Sequence, residues 1–222
     1  MKKLLLLLLL FVSFGLTAQD IVILKHTNYT THFSKSKRYP VLVEWTTTKA
    51  MVGCPTPLKR KDAFKPDPQL VDETNIAFYY VKSGYDRGHV MPAADNLCQT
   101  QQVQDECFYF SNMVAQTHRL NAGDWKSLET ATRNWAMIAS KVRVWSGSVG
   151  EAKKIGLVSV PTQCWKVVEV AESITSQYGK SYICEGFGFV AIAKDEDNNI
   201  LLAFPEGHEK INWKKYNEVI NG

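Results

Sequence analysis

The chain has 222 residues, of which 45% are hydrophobic and 22% charged. That balance excludes a disordered, collagen-like or coiled-coil chain and a polytopic membrane protein, and the length suffices for one or two domains with a proper core. The formal net charge of +4 is too mild to imply a nucleic-acid partner by itself.

The N-terminus comes first. Lys2 and Lys3 precede an apolar run from Leu4 to Leu16, followed by Thr17, Ala18, Gln19 and Asp20. A basic start, a short apolar stretch and a small residue before polar ones describe an export signal. The run falls short of the about 20 apolar residues that a spanning helix needs. Residues 1–18 are therefore expected to be a signal peptide cleaved after Ala18. Its loss takes away two lysines and lowers the formal charge from +4 to +2, so any basic surface must come from clustering. A secreted or periplasmic protein is expected, with no membrane attachment after cleavage.

Residues 19–38 read as a polar lead-in, and residues 39–222 as a single domain with no internal linker. Tyr39 to Thr48, with Val41, Val43 and Trp45 among threonines, reads as a strand. Gly53 to Pro68 holds Pro55, Pro57, Pro66 and Pro68 and reads as an irregular crossing loop. The short apolar run Ile76 to Tyr80 reads as another strand. From Asn121 to Ser140 the period changes. Trp125, Leu128, Thr132, Trp135 and Ala139 cover one helical stripe of about 80°. Strand-like runs follow at Val142–Trp145, Leu157–Val160, Trp165–Val170, Gly188–Ala193 and Ile200–Phe204. Many strands around one strong helix predict an α+β domain with a mostly antiparallel sheet. Asp195, Asp197, Asn199 and Glu206 resemble a calcium-loop register, but Ile200 stands where that loop needs Gly, so a hairpin turn is expected.

The five cysteines, Cys54, Cys98, Cys107, Cys164 and Cys184, all follow the export signal. In an oxidising compartment they allow two disulfides and one free thiol. Cys164–Cys184 and Cys98–Cys107 are candidate pairs, and Cys54 can replace a partner in either.

Chemistry concentrates between Asp86 and Arg133. Asp86-Arg87-Gly88-His89 sets a carboxylate, a guanidinium and an imidazole within four residues, and Ser111-Asn112, Asn121 and Glu129 follow. Phosphodiester hydrolysis needs an attacking water, neutralised phosphoryl oxygens and help for the leaving alkoxide. A base, a cation and a hard metal ion meet those demands. His89 suits the base because its pKa lies near neutrality. Arg87 supplies the cation, and Asn121 and Glu129 offer oxygen ligands. On a continuous helix these last two stand eight residues and about 80° apart, so both project to one side.

The runs DRGHVMPAADN, FYFSNMVAQ and LNAGDWKSLE resemble, in order and spacing, the DNA/RNA non-specific endonucleases, the ββα-metal nucleases that include endonuclease G. The resemblance extends from about Tyr39 to Phe204 and implies a central ββα-metal motif within the antiparallel sheet. It makes His89 the general base and Asn121 the direct ligand of Mg²⁺, with Mn²⁺ able to substitute. Glu129 becomes the acid that orients the ion's waters, and Arg87 a phosphate contact. Asn112 matches a residue supporting His89 and the metal site. Upstream, Arg60 with Phe64, Pro66 and Asp67 fits the family's second phosphate-binding arginine, within the basic cluster Lys59, Lys61 and Lys65. Arg133 is a further candidate for the scissile phosphate. DNA and RNA are the implied substrates. The same residues leave two other readings, a nuclease-fold binding protein without catalysis and a hydrolase of another phosphate ester.

Overall fold

The computed structural model describes residues 20–74, 76–138, 141–170, 179–185, 188–194 and 200–203. The expected signal peptide at 1–18 and the calcium-like stretch at 195–199 lie outside them.

Among the described residues twelve strands follow in chain order: β1 (Ile21–Lys25), β2 (Tyr29–Ser34), β3 (Tyr39–Thr47), β4 (Asp86–His89), β5 (Met113–Gln116), β6 (Val142–Val149), β7 (Lys153–Ile155), β8 (Val158–Val160), β9 (Gln163–Val170), β10 (Gly179–Glu185), β11 (Gly188–Lys194) and β12 (Ile200–Ala203). Eight form one sheet in the order β1-β2-β3-β6-β9-β10-β11-β12, every neighbouring pair antiparallel. The pairs β4–β5 and β7–β8 stand apart as two small antiparallel ribbons. With the helix Lys126–Ile138 after β5, β4 and β5 make a ββα unit on an α+β frame.

Period-two alternation explains the sheet's inner face. Val43, Trp45 and Thr47 of β3 are buried, as are Val142 and Val144 of β6. The long helix covers that face through Leu128, Trp135 and Ala136, with Trp125 just before its start. Full burial of a side chain such as Leu128 contributes about 2 kcal/mol. A second cluster, built from Ile76, Tyr80, Phe110, Met113, Ala115 and Val158, underlies the two ribbons. Among the described residues no helix is long and apolar enough to cross a membrane.

Three expectations need correction, and one open choice among the cysteines is decided. Residues 19–38 are not a loose lead-in, because β1 and β2 extend the main sheet from residue 21 onward. Tyr29, Thr31 and Phe33 alternate inward, and a buried Thr at the middle position masks the pattern. Ile76 to Tyr80 is not a strand but a 3₁₀ turn, Ala77–Tyr80; four residues are too few for period to decide. The helix does not begin at Asn121. Leu120–Trp125 is a wide π-type turn, broken where Gly123 adopts φ −98° and ψ −111°, so the regular helix starts at Lys126. Among the described residues a disulfide joins Cys54 to Cys98, with Cα atoms 5.6 Å apart, the pairing in which Cys54 replaces Cys107 as the partner of Cys98. Cys107 and Cys164 are buried free thiols, although the register sets Cys184 directly across from Cys164.

Candidate active site

Strand β4 places the first two functional side chains. Alternation turns Arg87 and His89 to the same side of the ribbon, and both meet Phe64. The Arg87 guanidinium carbon lies 3.9 Å from the Phe64 ring centre, and the His89 ring lies 5.6 Å from it. Phe108 closes the other side of His89, edge-on at 4.8 Å. Arg60, from the crossing loop, sits over Phe108 at 5.3 Å. The imidazole is thus boxed by two aromatic rings, each carrying an arginine. Gly88 makes room on the opposite side, since a Cβ there would collide with the Gln116 side chain. Trp125 fixes the His89 backbone by donating its Nε1–H to the His89 carbonyl at 3.1 Å.

This environment sets the protonation state of His89. Burial pushes its pKa down to about 3, and the positive charges of Arg60 and Arg87 push the same way against Asp62. The ring is therefore neutral across the physiological range. Its Nε2 is buried and has no hydrogen-bond partner among the described residues. An unpaired buried nitrogen costs stability and persists where a ligand or a reaction uses it.

A cleft opens beside this box. Arg60, Asp62, Phe64, Asp86, Arg87 and Asn121 line one part, and the turn around Tyr80 and Val81 lines the rest. Asn121 donates from Nδ2 to Asp86 Oδ2 at 2.9 Å. The same carboxylate oxygen lies 2.9 Å from His118 Nδ1. Asp86 therefore orients Asn121 and leaves its amide oxygen as the free hard donor. The structure thus brings Arg60, Arg87 and Asn121 to one cleft, with His89 packed against Phe64 of its lining.

Glu129 stands on the long helix, in the first turn after the break at Gly123. Burial raises its carboxyl to about 7, against the positive charges of Lys166, Arg133 and Arg60. Lys166 is a residue that sequence reasoning missed. It is 1% exposed on β9, with its ammonium 4.3 Å from the Trp125 ring and 5.5 Å from that of Trp45. Its sequence context, a lysine in an apolar strand, carries no signal of a buried cation.

Asn112 and Arg133 lie apart from the cleft lining. Asn112 is fully buried; it accepts from the Met91 amide and donates to the Met91 and Cys107 carbonyls, all within 2.9 Å. It clamps the chain two residues beyond His89. Arg133 donates to Asp95 Oδ1 at 3.2 Å and to Thr130 Oγ1 at 3.1 Å. Among the described residues no group of three or more His, Cys, Asp or Glu side chains is placed to hold a metal. The available oxygen donors are Asn121 Oδ1 and the Glu129 carboxylate.

A ββα unit carrying a boxed histidine, two arginines and an oriented asparagine defines the metal-nuclease class. The sequence pattern of the DNA/RNA non-specific endonucleases matches residues 10–217, and the chain belongs to that family. A mitochondrial EXOG nuclease of Danio rerio is 34% identical over 172 residues, 70% of this chain and 49% of that protein. A nuclease of Nostoc sp. is 32% identical over 167 residues, 71% of this chain and 57% of that protein. The chain thus spans about half the length of the curated relatives it matches. Among solved structures, EndoG in its complex with EndoGI superposes with a TM-score of 0.64 and 26% identity, covering 74% of each chain.

Proposed function

We propose that the protein is an exported, Mg²⁺-dependent endonuclease that hydrolyses phosphodiester bonds of DNA and RNA with little sequence preference. The observation that carries the reading is the neutral, unpartnered imidazole of His89 set between Arg60 and Arg87 beside Asn121. The arginines hold the phosphoryl oxygens. Contacts to the phosphate backbone carry no base information, which accounts for low sequence preference.

His89 takes a proton from the attacking water as the new P–O bond forms. The arriving phosphate charge offsets the two guanidinium charges that hold the ring's pKa down, so its basicity rises when substrate is in place. The opposite P–O bond breaks, and the leaving oxygen takes its proton from a water oriented by Glu129. Asn121 Oδ1 would hold a hard divalent ion, whose charge would neutralise the phosphoryl oxygens. Asp86 keeps that amide oriented, and Asn112 holds the segment behind His89. The Cys54–Cys98 bridge supports an exported protein, since disulfides persist in oxidising compartments.

The test is cleavage of supercoiled plasmid, then of RNA, by the purified protein with Mg²⁺, with EDTA, and with His89→Ala as control for contaminating nuclease. Mg²⁺-dependent nicking that vanishes in the variant is expected. Folded wild-type protein inert toward both polymers with Mg²⁺ and Mn²⁺ would overturn the reading.

A further inference from the structure

Hydrolysis leaves unused the turn that borders the cleft through Ala77, Tyr80 and Val81. Phe78 is 62% and Val81 69% exposed, the two most exposed large apolar residues described. Phe78 lies within the 3₁₀ turn Ala77–Tyr80 and Val81 directly follows it, and the Val81 amide donates to the Phe78 carbonyl at 3.2 Å. Three-residue spacing puts both side chains on one side of such a turn. Val81, Tyr80 and Ala77 line the same cleft as Arg60 and Arg87. The Phe78 ring is held in position. Tyr79 packs against it with ring centres 4.0 Å apart, and Tyr79 itself sits on Gly156, where any Cβ would strike its ring. An exposed aromatic ring, fixed on a turn whose neighbouring residues line the cleft of Arg60 and Arg87, offers an apolar face that a ligand in that cleft can cover.

We propose that Phe78 and Val81 form a stacking surface for an unpaired nucleobase of the strand whose phosphate lies at Arg60 and Arg87. The proposal rests on the phosphodiester reading above and names the preferred form of its substrate. Every base has an apolar π-face, so stacking adds affinity without sequence preference. Inside a duplex both faces of a base are already covered by neighbours. The surface therefore favours single-stranded DNA and RNA over duplex.

Two measurements decide it. In the His89→Ala background, which leaves the probe intact, fluorescence anisotropy gives the Kd for a labelled oligothymidylate and for a labelled duplex of equal length. Phe78→Ala is expected to weaken single-strand binding roughly 10-fold, the scale of losing one stacked base, and to weaken duplex binding at least several-fold less. Phe78→Trp should restore single-strand affinity. In the active chain, Phe78→Ala should lower the ratio of single-strand to duplex kcat/KM in the same proportion. Equal losses on both forms, or no loss on either, overturn the stacking surface. Absence of cleavage by the wild-type chain overturns the phosphodiester reading instead, and the anisotropy comparison still decides the stacking surface on its own.

Discussion

Two kinds of buried polar group share this fold, and they are treated oppositely. Asp95, with its side chain 1% exposed, has both oxygens occupied. Oδ2 accepts from Trp45 Nε1 at 3.0 Å and Thr47 Oγ1 at 2.9 Å, and Oδ1 accepts from Arg133. Asp67 is similarly engaged with Ser111, the Gln69 amide and His26, whose Nε2 lies 3.2 Å away. These carboxylates tie loops to the sheet. His89, a few residues from Asp95 in sequence, has its Nε2 buried without a partner among the described residues, and no described hydrogen bond engages the half-buried Glu129 carboxylate. Paired groups stabilise the frame, whereas a buried group without a partner costs stability.

The largest expected effect breaks the unpaired side. His89→Ala should lower kcat on plasmid by about 10²–10⁴-fold, the usual cost of losing a general base. The melting temperature should stay close to wild type, because the ring contributes packing against Phe64 and Phe108 but no hydrogen bond through Nε2. A variant as active as wild type would remove His89 from the mechanism.

The paired side should break in the opposite way. Asp95→Ala removes the acceptor shared by the Trp45 indole N–H, the Thr47 hydroxyl and the Arg133 guanidinium, although the indole keeps Thr47 Oγ1 and the guanidinium keeps Thr130 Oγ1. The loss costs about 1–3 kcal/mol, read as a drop in Tm of roughly 2–12 °C for a chain of this size. Turnover of the folded fraction should fall far less than in His89→Ala. If Asp95→Ala melts with wild type but loses turnover as severely, the division between frame and site is drawn wrongly.

These two regions also differ in how readable they were. Arg87 and His89 share one four-residue run, whereas Asn121, 32 residues beyond His89, takes its role from the resemblance of the LNAGDWKSLE run. Arg60 came only through resemblance to a family pattern, because no local period links it to a strand 27 residues on. The aromatic box was invisible: Phe64 and Phe108 lie on different loops, and only the folded ribbon places both against His89. The stretch from 19 to 38 misled for a related reason. Ile23 of edge strand β1 is 56% exposed, and Thr31 of β2 is wholly buried, so the expected alternation of apolar and polar residues is scrambled at both strands. The helix start differs because Trp125 continues the stripe of Leu128, Thr132 and Trp135 although it lies in the wide turn, and periodicity does not register that turn.

A third prediction sharpens the role of the buried cation. Lys166 is the leading positive charge lowering the Glu129 carboxyl against its burial. Lys166→Met keeps the apolar stem between Trp45 and Trp125 and removes the charge. The Glu129 pKa should then rise above about 7. Activity at neutral pH is expected to fall about tenfold, with the acid limb of the pH–rate profile displaced upward and much of the loss recovered at higher pH. An unshifted profile would separate Lys166 from Glu129.

The smallest expected effect is a pair of opposed pH slopes in stability. Although burial raises the Asp67 carboxyl, its bonds to His26, Ser111 and the Gln69 amide bring its folded pKa below the ordinary value. Its contribution is therefore complete above the unfolded value of about 3.9 and is lost as pH falls through the folded value. Glu129 runs the other way. Its folded pKa is raised from the ordinary 4.5 to about 7, so the folded state binds the proton more tightly than the unfolded state. That group's penalty is absent below about 4.5, grows as pH rises and is full above about 7. Glu129→Gln, which cannot ionise, should therefore be more stable than wild type at pH 8 by about 1 kcal/mol, a figure discounted for the solvent the side chain still touches. At pH 4 the difference should vanish. Chemical denaturation at the two pH values, without divalent ions, checks the slope. Adding Mg²⁺ at pH 8 should stabilise wild type more than Glu129→Gln, because only the wild-type carboxylate gains a partner. A wild type more stable than Glu129→Gln at pH 8 without the ion would place Glu129 with Asp95 and Asp67, among the groups that hold the frame.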